Sequence, residues 1–354
     1  MLSQFNSDAL ELLKCLIQIE SFSKHEDLTA ACIASWLEER GVKPKRIFNN
    51  IVAKNQFFDK EKPTILLNSH HDTVKPNGNY TCDPFLPTIN GDKLFGLGSN
   101  DAGASLVGLL AAFMYFYPIE NLKYNIVIAA TAEEEISGKY GIEILKSDLP
   151  KIDFAIVGEP TNLDLAIAEK GLLVLDAKVL GSSGHAAHVP NSKNPINLAL
   201  EDLYWFQNYR FSKISKTLGE VKMTVSQISA GSQHNIVPSE LNFVVDCRTT
   251  DSYTNQEVLD IIVKHTSSEI TPRSLRLNSS AIDPNHEIVK SGISLGKKCY
   301  GSPTLSDQSL LNCPSIKLGP GTSSRSHSAN EFVYVYEIEQ GIKFYVDILK
   351  PVLL

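Results

Sequence analysis

Short apolar runs alternate with helical stretches through the first half of the chain. Three continuous apolar runs of strand length predict buried strands, whereas ASLVGLLAAFMYF is long enough for a buried helix. Strands that alternate with helices indicate a largely parallel sheet covered by helices. The predicted elements are helices at 8–20, 26–40, 104–116 and 138–147, and strands at 64–69, 124–131 and 154–158.

From about residue 171 the pattern changes to longer strands separated by two helices. The order β-α-β-β-α-β is that of a ferredoxin-like unit, and we expect it to form a domain inserted into the first one. Helix 286–300 and strand 315–319 then return to the first domain. The predicted inserted elements are strands at 172–181, 221–231, 240–250 and 271–282, and helices at 195–210 and 255–266.

The predicted fold is therefore α/β with two domains. Residues 1–170 and 283–354 form a domain with a mixed, mostly parallel sheet, and residues 171–282 form the inserted ferredoxin-like α+β domain. A length of 354 residues suits two domains better than one.

Composition narrows the class of protein. The chain is 43% hydrophobic and 21% charged, which is typical of a globular protein. A net charge of −7 gives no attraction for nucleic acid, and no apolar run approaches the ~18 residues of a membrane span. The N-terminus lacks the basic region of a signal peptide. Six scattered cysteines without a C-x-x-C pair argue against a thiolate zinc site or a disulfide framework, so we expect a cytoplasmic protein.

Imidazoles and carboxylates follow the predicted strands. Ligands of an open parallel sheet bind beyond the carboxyl ends of its strands, so these side chains are expected to meet at one edge. Histidine and carboxylate suit zinc or a similar divalent metal when thiolates are absent. Each group alone is weak, since a run of glutamates is usually a solvated face. In chain order the residues are His70, His71 and Asp72; Asp101; Glu133, Glu134 and Glu135; Glu159; and His327.

Five segments resemble, in order, the motifs of a known zinc family, that of acetylornithine deacetylase, succinyl-diaminopimelate desuccinylase, aminoacylase and glutamate carboxypeptidase. The resemblance covers nearly the whole chain and implies a zinc-peptidase-like first domain. Within the family the chain is most similar to acetylornithine deacetylases. The segments are SHHDTV (69–74), GLGSNDAGAS (96–105), TAEEE (131–135), VGEPT (157–161) and SHSANE (326–331).

The resemblance implies a centre of two zinc ions per subunit, with cobalt able to substitute. His70 and Glu159 would hold one ion, Glu135 and His327 the other, and Asp101 would bridge both. It also implies a cis peptide bond between Asp101 and the alanine that follows it.

Three catalytic roles follow from the same resemblance. Glu134 would be the general base, and His185 in GHAAHVP would stabilise the oxyanion, with His188 the weaker alternative. Asp72 lies two residues from His70, on the same face of a strand, where it can accept the free imidazole N–H. Glu133 is then the spare glutamate, expected to be solvated, and His71 has no assigned role.

Two residues of the inserted domain match substrate contacts of the family. Arg248 matches an arginine that binds the substrate carboxylate, and Asn235 matches a nearby polar contact. For both, a surface ion pair or a loop-capping amide stays open. Arg325 and Ser326 precede His327, which suggests substrate contact.

The implied reaction is metal-dependent hydrolysis of the amide bond of a small N-acyl amino acid. N-acetyl-L-ornithine, or the N-succinyl-ornithine or citrulline analogue, is the expected substrate, in arginine biosynthesis. The alternatives are a succinyl-diaminopimelate desuccinylase or dipeptidase of the same family and, more remotely, a non-catalytic metal-binding scaffold. The resemblance also implies a homodimer through the inserted domain, which would act as a lid.

Overall fold

The computed structural model describes residues 2–354, which divide into two compact units. The first unit comprises the chain up to Ile167 together with Ala281–Tyr300 and Ser306–Leu354. The second comprises Ala168–Ser280 and Gly301–Leu305. Within residues 2–354 no helix combines the length and apolarity that crossing a bilayer needs.

Helices and strands alternate along the chain. The helices are α1 (Leu2–Ile17), α2 (Asp27–Glu38), α3 (Ala104–Phe116), α4 (Ile142–Leu145), α5 (Pro195–Asn208), α6 (Asn255–His265), α7 (Glu287–Ser294) and α8 (Val335–Leu353). The strands are β1 (Lys45–Ile47), β2 (Asn50–Lys54), β3 (Thr64–His70), β4 (Thr88–Asn90), β5 (Lys93–Phe95), β6 (Asn125–Thr131), β7 (Phe154–Gly158), β8 (Leu165–Glu169), β9 (Gly171–Leu180), β10 (Gly184–His185), β11 (Lys222–Ala230), β12 (Ile236–Val237), β13 (Glu240–Thr249), β14 (Glu269–Pro272), β15 (Ser280–Ala281), β16 (Cys299–Ser302), β17 (Ser315–Leu318) and β18 (Phe332–Tyr334).

The large sheet of the first unit is mixed, as predicted. Its central strands run parallel in the order β6-β3-β7-β17, while β2 joins β6 and β8 joins β17 in antiparallel fashion. The four central strands are buried along their whole length, as a parallel sheet covered on both faces requires. Their carboxyl ends therefore lie at one edge of the sheet.

Buried helices cover this sheet. Helix α3 is apolar on nearly all sides because it lies in the core, with Leu109 and Phe113 fully buried. Helix α8 packs against α3 and buries Tyr345, whose hydroxyl donates to the carbonyl of Leu318 at 2.6 Å. This contact ties the last helix to β17.

The second unit has the predicted ferredoxin-like order. Its antiparallel sheet runs β11-β13-β9-β14, and α5 and α6 pack against it. Alternate residues of β9 and β13 are buried, including Leu175 and Phe243, which pack with Ile262 of α6. Its action as a lid and as a dimer contact stays a prediction.

Several predicted boundaries are wrong. The last inserted strand is β14, well before most of 271–282, because Pro272 cannot donate to the ladder. The helix predicted at 138–147 shrinks to α4, since two glycines, Gly138 and Gly141, disfavour helix before it. The helix predicted at 286–300 ends at Ser294, because Gly296 shortly after it adopts a left-handed conformation with φ +82°. The hairpin β1–β2 and helix α8 are absent from the prediction.

Candidate metal centre

The carboxyl ends of β3, β6 and β7 deliver the predicted side chains to one place. His70 is the last residue of β3, and Glu159 follows the last residue of β7. Glu134 and Glu135 begin a single 3₁₀ turn shortly after β6. Asp101 precedes α3, and the peptide bond between Asp101 and Ala102 is cis, which confirms that prediction.

Five of these residues form two groups that share Asp101. In one group His70 Nε2 lies 3.3 Å from Asp101 Oδ1 and 3.8 Å from Glu159 Oε1. In the other, His327 Nε2 lies 2.9 Å from Glu135 Oε2 and 3.7 Å from Asp101 Oδ2. The donor atoms of each group all lie within 4.8 Å of one another. Asp101 thus presents one oxygen to each histidine, which is the arrangement of a bridging carboxylate.

The donor set fits a pair of divalent cations. Burial raises the pKa of Glu159 well above its usual range, and burial also raises the pKa of Glu135. Buried carboxylates this close together are unfavourable unless a cation compensates them. Imidazole nitrogen with carboxylate oxygen, without thiolate, is the set that zinc and similar metals prefer.

Asp72 organises both the first histidine and the glutamate turn. His70 Nδ1 lies 2.9 Å from the main-chain carbonyl oxygen of Asp72 and 3.5 Å from its carboxylate, so the nearest acceptor is the carbonyl. The carboxylate accepts the backbone N–H groups of Glu134 at 3.0 Å and Glu135 at 3.2 Å. Ser23 donates to it at 2.7 Å. Asp72 therefore fixes the turn as well as supporting the imidazole.

Glu134 belongs to neither metal group, although it lies among their members. Burial raises the pKa of Glu134 well above its usual range, and the negative charges of Glu159 and Glu135 add to this effect. Its carboxylate therefore lies beside the two clusters without belonging to either.

The expectation that Glu133 is solvated is wrong. Its side chain is buried and accepts the backbone N–H of Tyr140 at 3.2 Å, while its own N–H donates to Glu26. His71, unassigned by sequence, is also buried. Its Nδ1 lies 2.9 Å from Thr29 Oγ1, and burial lowers the pKa of His71 to about 4, so it is a neutral structural group.

Glu331, the last residue of the segment SHSANE (326–331), is a site residue to which the sequence alone gave no role. Its carboxylate is buried and accepts three backbone N–H groups, those of Gly98 at 2.9 Å, Asn100 at 2.8 Å and Asp101 at 2.9 Å. It therefore holds the loop that presents the shared Asp101. The feature of the sequence that could have identified Glu331 is its position in a metal-ligand motif, four residues after His327.

The other predicted site residues lie in the second unit. His185 is exposed on β10, and its Nδ1 accepts the backbone N–H of Ala187 at 3.2 Å. The carbonyl of Asn235 accepts the backbone N–H of Ala186, which brings the two predicted motifs together. Arg248 on β13 makes a two-pronged ion pair with Asp246 at 2.7 and 2.9 Å.

Comparison with known proteins agrees with this geometry. The model of a family described as Peptidase family M20/M25/M40 matches residues 66–350, a span that includes every member of both groups. The chain belongs to this family. It is accordingly a metal-dependent hydrolase of the M20 type.

Individual members of the M20 family are similar over most of their length. Acetylornithine deacetylase of Buchnera aphidicola subsp. Schizaphis graminum is 29% identical over 313 residues, 80% of this chain and 81% of that protein. Succinyl-diaminopimelate desuccinylase of Orientia tsutsugamushi is 28% identical over 274 residues, covering 72% and 70%. The YXEP protein of Bacillus subtilis, a dinuclear metal binding peptidase from the M20 family, shares the fold with a TM-score of 0.74 at 16% identity, covering 99% of both chains.

Proposed function

We propose that this M20 protein hydrolyses the amide bond of an N-acyl amino acid with two zinc ions. This proposal is supported chiefly by the pair of donor groups that share Asp101, with Glu134, a member of neither group, beside them. A non-catalytic scaffold would not need a further carboxylate with a raised pKa at this place.

The two groups define which residues would hold the metal. His70 and Glu159 would hold one ion, Glu135 and His327 would hold the other, and Asp101 would be shared between them. When bound, such ions polarise the scissile carbonyl and make water acidic enough to attack near neutral pH.

Glu134 supplies the proton transfers. Its carboxylate accepts a proton from the attacking water and returns it to the nitrogen of the leaving amine, so that one group acts first as base and then as acid. Asp72 keeps Glu134 in place by accepting its backbone N–H, as described above.

The second unit supplies the remaining polar groups in this proposal. His185 donates to the oxyanion from its Nε2, since Nδ1 is the atom that accepts from Ala187. Arg248 binds the α-carboxylate, with Asn235 as a further polar contact. Asp246 occupies the Nε and Nη2 edge of the guanidinium, so the substrate carboxylate would have to use the Nη1 side of Arg248.

N-acetyl-L-ornithine is the proposed substrate, in arginine biosynthesis. The two relatives above carry different substrate names at 29% and 28% identity, so N-succinyl-diaminopimelate is an equally supported second candidate. The proposed setting is the cytoplasm, and the proposed assembly is a homodimer through the second unit.

Metal removal and a substrate panel test this proposal together. Protein stripped with a chelator is expected to lose activity, and Zn²⁺ or Co²⁺ to restore it. The panel contains N-acetyl- and N-succinyl-ornithine, N-acetylcitrulline, N-succinyl-diaminopimelate and a dipeptide, compared by kcat/KM. Full turnover by metal-free protein contradicts the proposal, and preference for the dipeptide contradicts the N-acyl substrate class.

A further inference from the structure

A side-chain pair anchors the segment that carries His327 to the final helix. Arg325 lies two residues before His327, and Glu337 lies in the first turn of α8. Nη1 of Arg325 donates to Glu337 Oε2 at 2.8 Å, and Nη2 donates to Oε1 at 2.6 Å. The two side chains are only 13% and 14% exposed. A half-buried, two-pronged pair of this kind fixes direction as well as charge.

The guanidinium of Arg325 makes hydrogen bonds at its edge and contacts with two aromatic rings. Nη1 also donates to the carbonyl of Phe332 at 3.2 Å. The ring centroids of Phe332 and Tyr334 lie 4.9 and 5.4 Å from its central carbon, within the range of cation–π contact. A group with these partners is not free for a substrate, although its position before His327 suggested such a contact.

The backbone around His327 needs an external support. His327 adopts φ +57°, a region that few residues other than glycine occupy, and its side chain is 54% exposed. Such a conformation persists where the surroundings over-determine it. The hydroxyl of Ser328 donates a hydrogen bond to the main-chain carbonyl of Arg325 at 2.7 Å. Arg325 and Ser328 lie on either side of His327 in the sequence, so this bond constrains the backbone on both sides of it.

The other half of the pair is itself fixed. Glu337 accepts the backbone N–H of Tyr334 at 3.0 Å and so caps the start of α8. Helix α8 is rooted in the core through Ile338, Ile342 and Tyr345, each at most 1% exposed. A continuous path of packed and hydrogen-bonded groups therefore runs from the core to His327.

We propose that Arg325 and Glu337 form a clamp that positions His327 for the metal group of Asp101, Glu135 and His327. The proposal rests on the dinuclear function proposed above. Arg325 is a positioning residue in it, since its side chain is taken up by Glu337, Phe332 and Tyr334. The clamp serves one of the two metal groups, because in the other group His70 ends β3 and Glu159 directly follows β7.

Titration of the metal-free protein with Co²⁺ alone tests the clamp. Isothermal titration calorimetry and the visible absorption of Co²⁺ are expected to show that the wild type binds two equivalents of Co²⁺. In Arg325→Met and in Glu337→Gln the affinity for one equivalent of Co²⁺ should fall about 10- to 100-fold, which is the usual effect of losing a group that orients a metal ligand. The affinity for the other equivalent should not change. Arg325→Lys should fall between, because an ammonium retains the charge without the planar fork.

Lys343→Met is the matched control, since it removes an exposed ion pair with Asp347 on the same helix. It should bind both equivalents as the wild type does. Two unchanged equivalents in the Arg325 and Glu337 variants, or equal loss of both, overturn the clamp. A wild type that binds fewer than two equivalents contradicts the dinuclear function instead.

Discussion

At the scale of single residues, the chemistry depends on which of three adjacent glutamates does what. Glu135 lies with His327 in one candidate metal group, Glu133 is a buried structural acceptor, and Glu134, which belongs to neither group, is the proposed acid–base residue. Their identical side chains gave sequence reasoning no means to separate them, and the resemblance to a family supplied the order. Only the turn fixed by Asp72 shows why the three point to different partners.

Glu134→Ala is expected to keep both metal equivalents and to lower kcat by about 10²- to 10⁴-fold, the usual contribution of general acid–base catalysis. Metal content by mass spectrometry and steady-state kinetics check this expectation. Glu143→Ala, at a residue of helix α4 outside both metal groups, serves as the control. Loss of metal from Glu134→Ala would make it a ligand and reverse its assignment with Glu135.

Glu331→Gln is expected to weaken both metal equivalents by about 10- to 100-fold. The reason is that a Gln amide group turns N–H donors toward backbone N–H groups and loosens the loop that presents the shared Asp101. Co²⁺ titration measures the effect. Glu339→Gln on the exposed side of α8 is the control, and selective loss of one equivalent in Glu331→Gln contradicts this role.

At the scale of secondary structure, periodicity predicted the long buried elements and failed at short ones. Helix α3 has the predicted bounds, 104–116, because an apolar run of that length leaves few alternatives. The hairpin β1–β2 was missed, since three to five residues of mixed polarity carry no period. The role of Glu331 could not be predicted from local sequence either, because it depends on N–H groups more than 200 residues earlier in the chain.

Helix α6 offers a test of local structure in the second unit. The Thr254 hydroxyl accepts the N–H of Glu257, whose carboxylate accepts the N–H of Thr254 in return. Thr254→Ala is expected to lower the free energy of unfolding by about 1 kcal/mol, the usual cost of a lost N-cap.

Urea unfolding measures this change through the fluorescence of Trp205, which stacks on His265 of α6, in a Trp36→Phe background. Thr254→Ser keeps a hydroxyl and is expected to unfold near the parent midpoint. An alanine variant with the same midpoint as the parent would show that the cap contributes nothing.

At the scale of the whole molecule, the predicted dimer has a candidate surface on α5. Ile196, Leu200 and Tyr204 follow one another at intervals of four residues, on one face, and are 39%, 57% and 69% exposed. A contiguous apolar surface that is exposed to solvent often marks a site of contact with another protein.

Leu200→Glu is therefore expected to convert a dimer to a monomer, because it places a charge in the middle of a self-complementary contact. Light scattering on the eluting protein measures the mass. Phe48→Glu changes a 60% exposed residue of the first unit and should leave the mass unchanged. A dimer that survives Leu200→Glu places the contact elsewhere.

The position of β17 between β7 and β8 has a consequence for synthesis on the ribosome. These strands come from residues 154–169 and 315–318, and His327 and Glu331 follow later still. The nascent chain grows at about 5–20 residues per second, so the centre of the large sheet stays open for ~10 s after β8 has emerged. The second unit, by contrast, consists of Ala168–Ser280 and Gly301–Leu305, and both segments are translated before β17. The group of Asp101, Glu135 and His327 is therefore complete only after β17 has been synthesised, whereas the residues of the other group all precede β8.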